Sequence, residues 1–215
     1  MGNIKGISIF ASIVIVSIAI TYFFFFKQED RLPIYQPIEI NPALVDSTLR
    51  NAKDHRISDF TLVNHLGDTV TKGDVEGQIL VVDFFFTRCA TICPVMTGNL
   101  KMLHDALPDG VRILSHSVTP FADSVSVLNA YAEKHASEAS KWWFLTGEKT
   151  EVYRLARKSY FSCLDEGDGG YQDFVHTENV VLVDAEGRLR GFYDGTLKEE
   201  ISQLYLDIQR LKEEK

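Results

Sequence analysis

The chain has 215 residues, 45% of them hydrophobic and 24% charged, with a net charge of −8. That length accommodates one domain with a sizeable core and something extra, and the acidic balance argues against nucleic acid as a partner. Three cysteines are too few for a disulfide framework to hold the fold together.

The extra lies at the front. Behind a short tail at 1–6, Ile7 to Phe26 runs for twenty residues without a charge. As a helix, such a run spans about 30 Å of hydrocarbon. It ends Tyr22-Phe23-Phe24-Phe25-Phe26-Lys27, with no small-x-small cleavage site and no cysteine for lipid attachment. An uncleaved single-span transmembrane helix over 7–26 is expected. Lys5 on one side and Lys27 and Arg31 on the other leave its orientation close to neutral.

Residues 27–56 read as an extended tether, interrupted by Pro33, Pro37 and Pro42. A domain over 57–215 follows. Asp59 to Asn64 alternates as a short strand, His65-Leu66-Gly67-Asp68 turns, and a partner strand lies near Val70. Ile79 to Phe86 is a continuous apolar run, the mark of a strand buried on both faces. It stops at Thr87-Arg88-Cys89-Ala90-Thr91-Ile92-Cys93-Pro94, after which Met96, Leu100, Leu103 and Leu107 recur at helical spacing.

Val111 to Val118 predicts a second central strand. Pro120 is expected to open a helix with Phe121, Val125, Leu128 and Ala132 on one face. Trp142 to Leu145 predicts a strand, and Glu148 to Lys158 a helix. Periodicity vanishes between Ser159 and Val175, where 165–170 reads as a mobile loop. Asn179 to Asp184 and Leu189 to Tyr193 flank a hairpin turn. Thr196-x-x-Glu199 predicts a capping box for a last helix, with Ile201, Leu204, Ile208 and Leu211 as its buried stripe. Strands alternating with helices, closed by a hairpin and a helix, predict an α/β thioredoxin-like sandwich.

Two of the three cysteines stand four positions apart at the strand–helix junction. Residues so spaced lie about one helical turn apart, so their sulfurs can close a disulfide or grip one metal ion. Pro94 suits a first helical turn, which places Cys93 near the helix N-terminus and favours its thiolate. Arg88 adds positive charge. The spacing fits metal binding and redox exchange equally. The alternative is a pair of ordinary small buried residues.

Two thiolates and an imidazole would suit Cu(I), whereas a structural zinc site wants four closed ligands. Of six histidines, His55, His65 and His135 fall in expected turns or exposed ends, His104 in a helix and His116 near a strand end. His176 ends the loop before the hairpin. In a thioredoxin-like fold that loop faces the dithiol.

The stretch Thr87 to Pro94, with Val175-His176-Thr177 before a hairpin, resembles the SCO/SenC family. Its members are membrane-anchored thioredoxin-like proteins that help assemble the dinuclear copper centre of cytochrome c oxidase. The resemblance covers about residues 55–212 and the anchor. It implies copper bound by Cys89, Cys93 and His176, as Cu(I) with Cu(II) left open, and a Cys89–Cys93 disulfide when oxidised. It also implies a copper-site oxidase subunit as partner. The dithiol chemistry, whether copper binding or redox exchange, needs an oxidising or copper-exposed compartment, so the expected location is the inner membrane with the domain on the periplasmic side. The competing reading is a thiol–disulfide oxidoreductase that keeps a client's cysteines reduced. Two departures stand out: Ser117-Val118-Thr119-Pro120 replaces the family's Ser-x-Asp-Pro, and Cys163 is additional.

Overall fold

The computed structural model describes residues 3–26, 31–135, 141–164, 166–167, 170 and 172–214. The chain divides into two compact units, one up to Arg31 and one from Leu32 onward. The first contains helix α1, Asn3–Phe26. Its backbone is helical across the expected span, and Ile9, Phe10, Ile13 and Ile15 expose their side chains. Among the described residues no helix is long and apolar enough to cross a membrane. The side chains at 7, 8, 19 and 22–26 lie outside that description.

The second unit is built on a seven-stranded sheet. Its strands are β1 (Thr61–Asn64), β2 (Thr69–Thr71), β3 (Ile79–Phe85), β4 (Val111–Ser117), β5 (Trp142–Thr146), β6 (Asn179–Val183) and β7 (Leu189–Asp194), in the order β2-β1-β5-β4-β3-β6-β7. β3, β4 and β5 run parallel. β6 runs antiparallel to β3, and β1 antiparallel to β5. The helices α2 (Ile92–Ala106), α3 (Val125–His135), α4 (Lys149–Arg154) and α5 (Lys198–Glu213) cover the two faces. This is the α/β sandwich the alternation of elements predicts.

Every residue of β3 is buried, because side chains alternate across a strand and both faces of this sheet are covered. Ile79, Val81 and Phe85 join the core formed with α2, α3 and α5. Leu80, Val82 and Phe84 join the core formed with α4 and the segment before β1. Asp83 falls on the α2 face by the same alternation. The C-terminal ends of β3 and β4 are level, with Phe85 opposite Ser117. β6 enters at that same end of β3, since the two strands are antiparallel. The dithiol, the segment after β4 and the segment before β6 therefore share one edge of the sheet.

Four local expectations differ from the structure. The compact unit begins at Leu32, so residues 32–56 lie on the domain rather than reaching away from it. Prolines break this stretch into short 3-10 turns at Pro37–Glu39 and Pro42–Leu44. Ile40 and Val45 then bury in the α4-side core, and Tyr35 N–H donates to Leu189 O at 2.9 Å.

The helix expected at Pro120 begins only at Val125, and Phe121 is 87% exposed. Asp123 is drawn into the interior by hydroxyl partners, a side-chain competition that forestalls the helix. The expected 148–158 helix keeps its α form only to Arg154 and continues as a π-helical turn, Leu155–Ser159. Tyr160 and Phe161, in the stretch where periodicity vanishes, are fully buried; of the loop at 165–170, residues 165, 168 and 169 lie outside the described residues. Thr196 does not cap α5. Its hydroxyl donates to Asp194 Oδ1 at 2.6 Å, and the helix starts after Leu197.

Candidate metal and redox site

β3 ends at Phe85, and a turn closed by Cys89 N–H to Phe86 O at 3.2 Å presents Cys89. α2 starts three residues later at Ile92, with Pro94 in its first turn as expected. Cys93 is only 4% exposed and joins the α2-side core, whereas Cys89 is half-buried. Both are free thiols.

The backbone N–H of Cys93 donates to Cys89 Sγ at 3.4 Å, and Thr91 Oγ1 lies 3.6 Å from the same sulfur. An N–H in the first turn of a helix has no partner within the helix and is free to serve an anion.

The acidity of the pair follows from these contacts, and it reverses the sequence expectation. Burial raises the Cys89 thiol, but hydrogen bonds from Cys93 and Thr91 outweigh it and bring the pKa down from 9.0 to about 7. Burial dominates at Cys93 and pushes it up to about 12, with the charges of Cys89 and Asp83 adding to the rise. Cys93 does occupy the helix N-terminus, but its sulfur faces apolar core while its N–H points at Cys89. Cys89 is thus the more readily ionised thiol, and Cys93 the one that keeps its proton.

Two buried carboxylates support this junction. Asp123 accepts from Thr87 N–H at 3.2 Å and from the hydroxyls of Thr87, Ser117 and Thr119 at 2.6, 2.6 and 3.0 Å. It ties the residue two before Cys89 to the end of β4. Thr119, the position where the resemblance leads one to expect an aspartate, is one of its donors. Asp83 lies deeper. Burial pushes its carboxyl up from 3.8 to about 7, against a hydrogen bond from Ser115 Oγ at 2.5 Å. Neither carboxylate was singled out in the sequence. A lone aspartate in an apolar strand, at 83, was the available signal.

His176 is exposed, between buried Val175 and Thr177. Phe174, two residues before it, packs edge-on against Phe86, with ring centroids 5.2 Å apart. This contact brings the segment before β6 beside the dithiol turn. Among the described residues, no group of three or more His, Cys, Asp or Glu side chains is gathered to hold a metal. The structure thus joins Cys89 to Cys93 and places the His176 segment alongside, without assembling the three as one ligand set. The donor types fit a soft cation: two cysteines joined by the Cys93 N–H to Cys89 Sγ contact, one with its pKa near neutrality, and an imidazole on the adjoining segment.

The other histidines have ordinary environments. His116 is fully buried on Phe84, and burial pushes it down to about 4. His104 packs on Trp142, and His55 shares a hydrogen bond with Ser159 O. His65 lies in the expected turn and is buried, its Nδ1 accepting from Phe144 N–H at 3.3 Å. His135 packs on Tyr131. Cys163 is buried and lines a cavity of about 330 Å³ with Arg157, Phe174 and His176.

The SCO1/SenC family model matches residues 49–213. The SCO1 protein homolog of Bacillus subtilis is 28% identical over 165 residues, 75% of this chain and 85% of that protein. The solved structure of BsSco, a member of the Sco family of cytochrome c oxidase assembly proteins with a disulfide switch, is 30% identical with a TM-score of 0.64. It aligns with 75% of this chain and 95% of that one. ScoI of Bradyrhizobium japonicum, solved with copper bound, shares the fold at 22% identity, with a TM-score of 0.58 over 73% of this chain and 99% of that one. With three quarters of its length matched by that family model, the chain belongs to the SCO1/SenC family.

Proposed function

We propose that this chain is a membrane-anchored copper chaperone that serves the assembly of a cytochrome c oxidase copper centre. Copper is its cargo. Cys89 and Cys93 grip Cu(I), and His176 closes the site as the third ligand. The helix over 7–26 anchors the domain on the periplasmic side of the inner membrane, and the client is the copper-site subunit of the oxidase. The observation that carries this reading is the paired dithiol, in which an accessible, readily ionised Cys89 is backed by Cys93. Thiolates are the donors that select Cu(I), and copper-bound ScoI shares the fold.

A second reading is favoured by the same asymmetry of acidity. In thiol–disulfide exchange the accessible, low-pKa thiolate attacks, and a buried partner resolves the mixed disulfide. Cys89 and Cys93 would then end as a disulfide while a client's disulfide becomes two thiols. The two roles alternate, because an oxidised pair cannot hold copper.

Anaerobic Cu(I) titration of the fully reduced protein against a competing chelator tests the first reading. A one-to-one site weakened by Cys89→Ser, Cys93→Ser and His176→Ala is expected. Binding indifferent to both cysteine changes would sink it. No competitive binding, with ready exchange against an oxidised client peptide, would favour the second.

A further inference from the structure

The segment leading to His176 is held from beneath by one helical stripe. Lys149, Tyr153 and Arg157 recur every four residues, so they line one side of α4 and its π-helical extension. Arg157 donates through Nη1 and Nη2 to the two oxygens of Asp173 at 2.6 and 2.7 Å, and both side chains are only 8% exposed. Lys149 Nζ donates to Asp173 O at 2.6 Å and to Gly170 O at 2.5 Å. Tyr153 OH lies 3.3 Å from Asp173 O and 3.1 Å from Val118 O, and accepts from Val175 N–H at 3.4 Å. The same hydroxyl thus touches the segment after β4 and the residue just before His176.

A buried bidentate ion pair adds little net stability, because desolvation offsets the attraction, but it fixes geometry strictly. Turns of π-helix recur at functional sites. Here one presents Arg157 inward, against Asp173. The lysine and the tyrosine both hold main-chain oxygens of the Asp173 segment. Apart from Arg157 Nε, which donates to Leu164 O at 3.3 Å, the hydrogen bonds of the stripe described above end on residues 170–175 or on Val118.

We propose that Lys149, Tyr153 and Arg157, with Asp173, form a latch that positions His176 over Cys89 and Cys93 and so sets how tightly Cu(I) is retained. They are positioning residues, acting through the histidine without touching the metal. This inference rests on the reading of His176 as the third ligand. The latch holds the chain on one side of the histidine, and the Phe86–Phe174 contact ties the same segment to the dithiol turn.

The test measures Cu(I) affinity by chelator competition on the reduced full-length chain in detergent. Tyr153→Phe and Asp173→Asn are each made with His176 present and in a His176→Ala background. Tyr153→Phe removes a single hydroxyl and guards against misfolding of the ion-pair variant. Each latch change is expected to weaken retention about tenfold, the usual effect of losing an outer-shell partner of a metal ligand, and to have no further effect once His176 is alanine. Suppose His176→Ala weakens binding while the latch variants leave it unchanged, or weaken it equally in both backgrounds. The latch is then refuted and the histidine reading stands. Unchanged affinity in His176→Ala itself would refute the ligand reading and the latch with it.

Discussion

Asp83→Asn probes the chemistry beneath the dithiol most directly. The carboxyl is 3% exposed on β3, with Ser115 Oγ as its donor and Trp142 Nε1 donating in turn to Ser115 at 2.8 Å. Burial moves its pKa from 3.8 to about 7. The folded chain therefore keeps a proton that the unfolded chain has already lost, and stability falls as pH rises between those two values. Below the window both states are protonated and nothing is lost; above it both are ionised and the full cost applies. At about 1.4 kcal/mol per unit, moving from pH 5 to pH 8 costs the parent roughly 2–3 kcal/mol at this site. Asparagine keeps the shape and can accept from Ser115, but leaves an amide N–H₂ to satisfy, an opposing loss of about 1–3 kcal/mol.

Urea unfolding of the reduced parent and variant at both pH values is the assay. The variant should be the less stable protein near pH 5 and gain roughly 2–3 kcal/mol on the parent by pH 8. Cys89 also titrates in this range with the opposite sign, since its lowered pKa adds stability that is lost as pH falls through about 7. Subtracting variant from parent removes that contribution. A difference between the two proteins that is the same at both pH values would refute the assignment of a buried, proton-holding carboxyl.

The thiols offer a second test. Iodoacetamide should label Cys89 with a midpoint near pH 7, while Cys93, pushed up to about 12, stays unmodified in the folded protein; mass mapping that finds Cys93 labelled first would overturn the assignment. Asp123→Ala removes the acceptor of four hydrogen bonds and leaves buried donors unpaired. A loss of roughly 2–4 kcal/mol in denaturant unfolding is expected, together with a shifted Cys89–Cys93 reduction potential. A potential equal to that of the parent would show that Asp123 does not set the dithiol's geometry.

The elements legible in the sequence are those fixed by local patterning. β3 could be read because a strand buried on both faces leaves an unbroken apolar run, and its end because two cysteines and a proline interrupt that run. The buried stripe of α5 was equally plain, and Ile201, Leu204, Ile208 and Leu211 are all buried. What escaped depends on partners distant in sequence. Pro33, Pro37 and Pro42 suggested a free tether, yet Arg190 of β7 reaches Pro33 O at 3.0 Å and Leu32 O at 2.7 Å, docking the stretch on the sheet. Thr196 matched a capping box but found a nearer acceptor in Asp194. The i, i+4 stripe of Lys149, Tyr153 and Arg157 was visible in the chain, but has meaning only beside Asp173.

The same contrast explains the reversed thiols. Sequence can place Cys93 at a helix N-terminus, and the helix does favour a thiolate there. It cannot say which sulfur the free N–H groups face. That is decided by the α2-side core, which takes in the Cys93 side chain along with Met96 and Leu100 and leaves its N–H directed at Cys89. One thiol is thereby committed to the interior and the other to the surface. A nucleophile and its resolving partner need this division, and so does a metal held by one inner and one outer sulfur. The histidine proposed as third donor lies on a separate segment, joined to the dithiol turn through Phe86 and Phe174. Under the proposed function, cargo that must be both gripped and given away is better served by such a divided ligand set than by a closed cage, and the proposed latch then sets the strength of the grip.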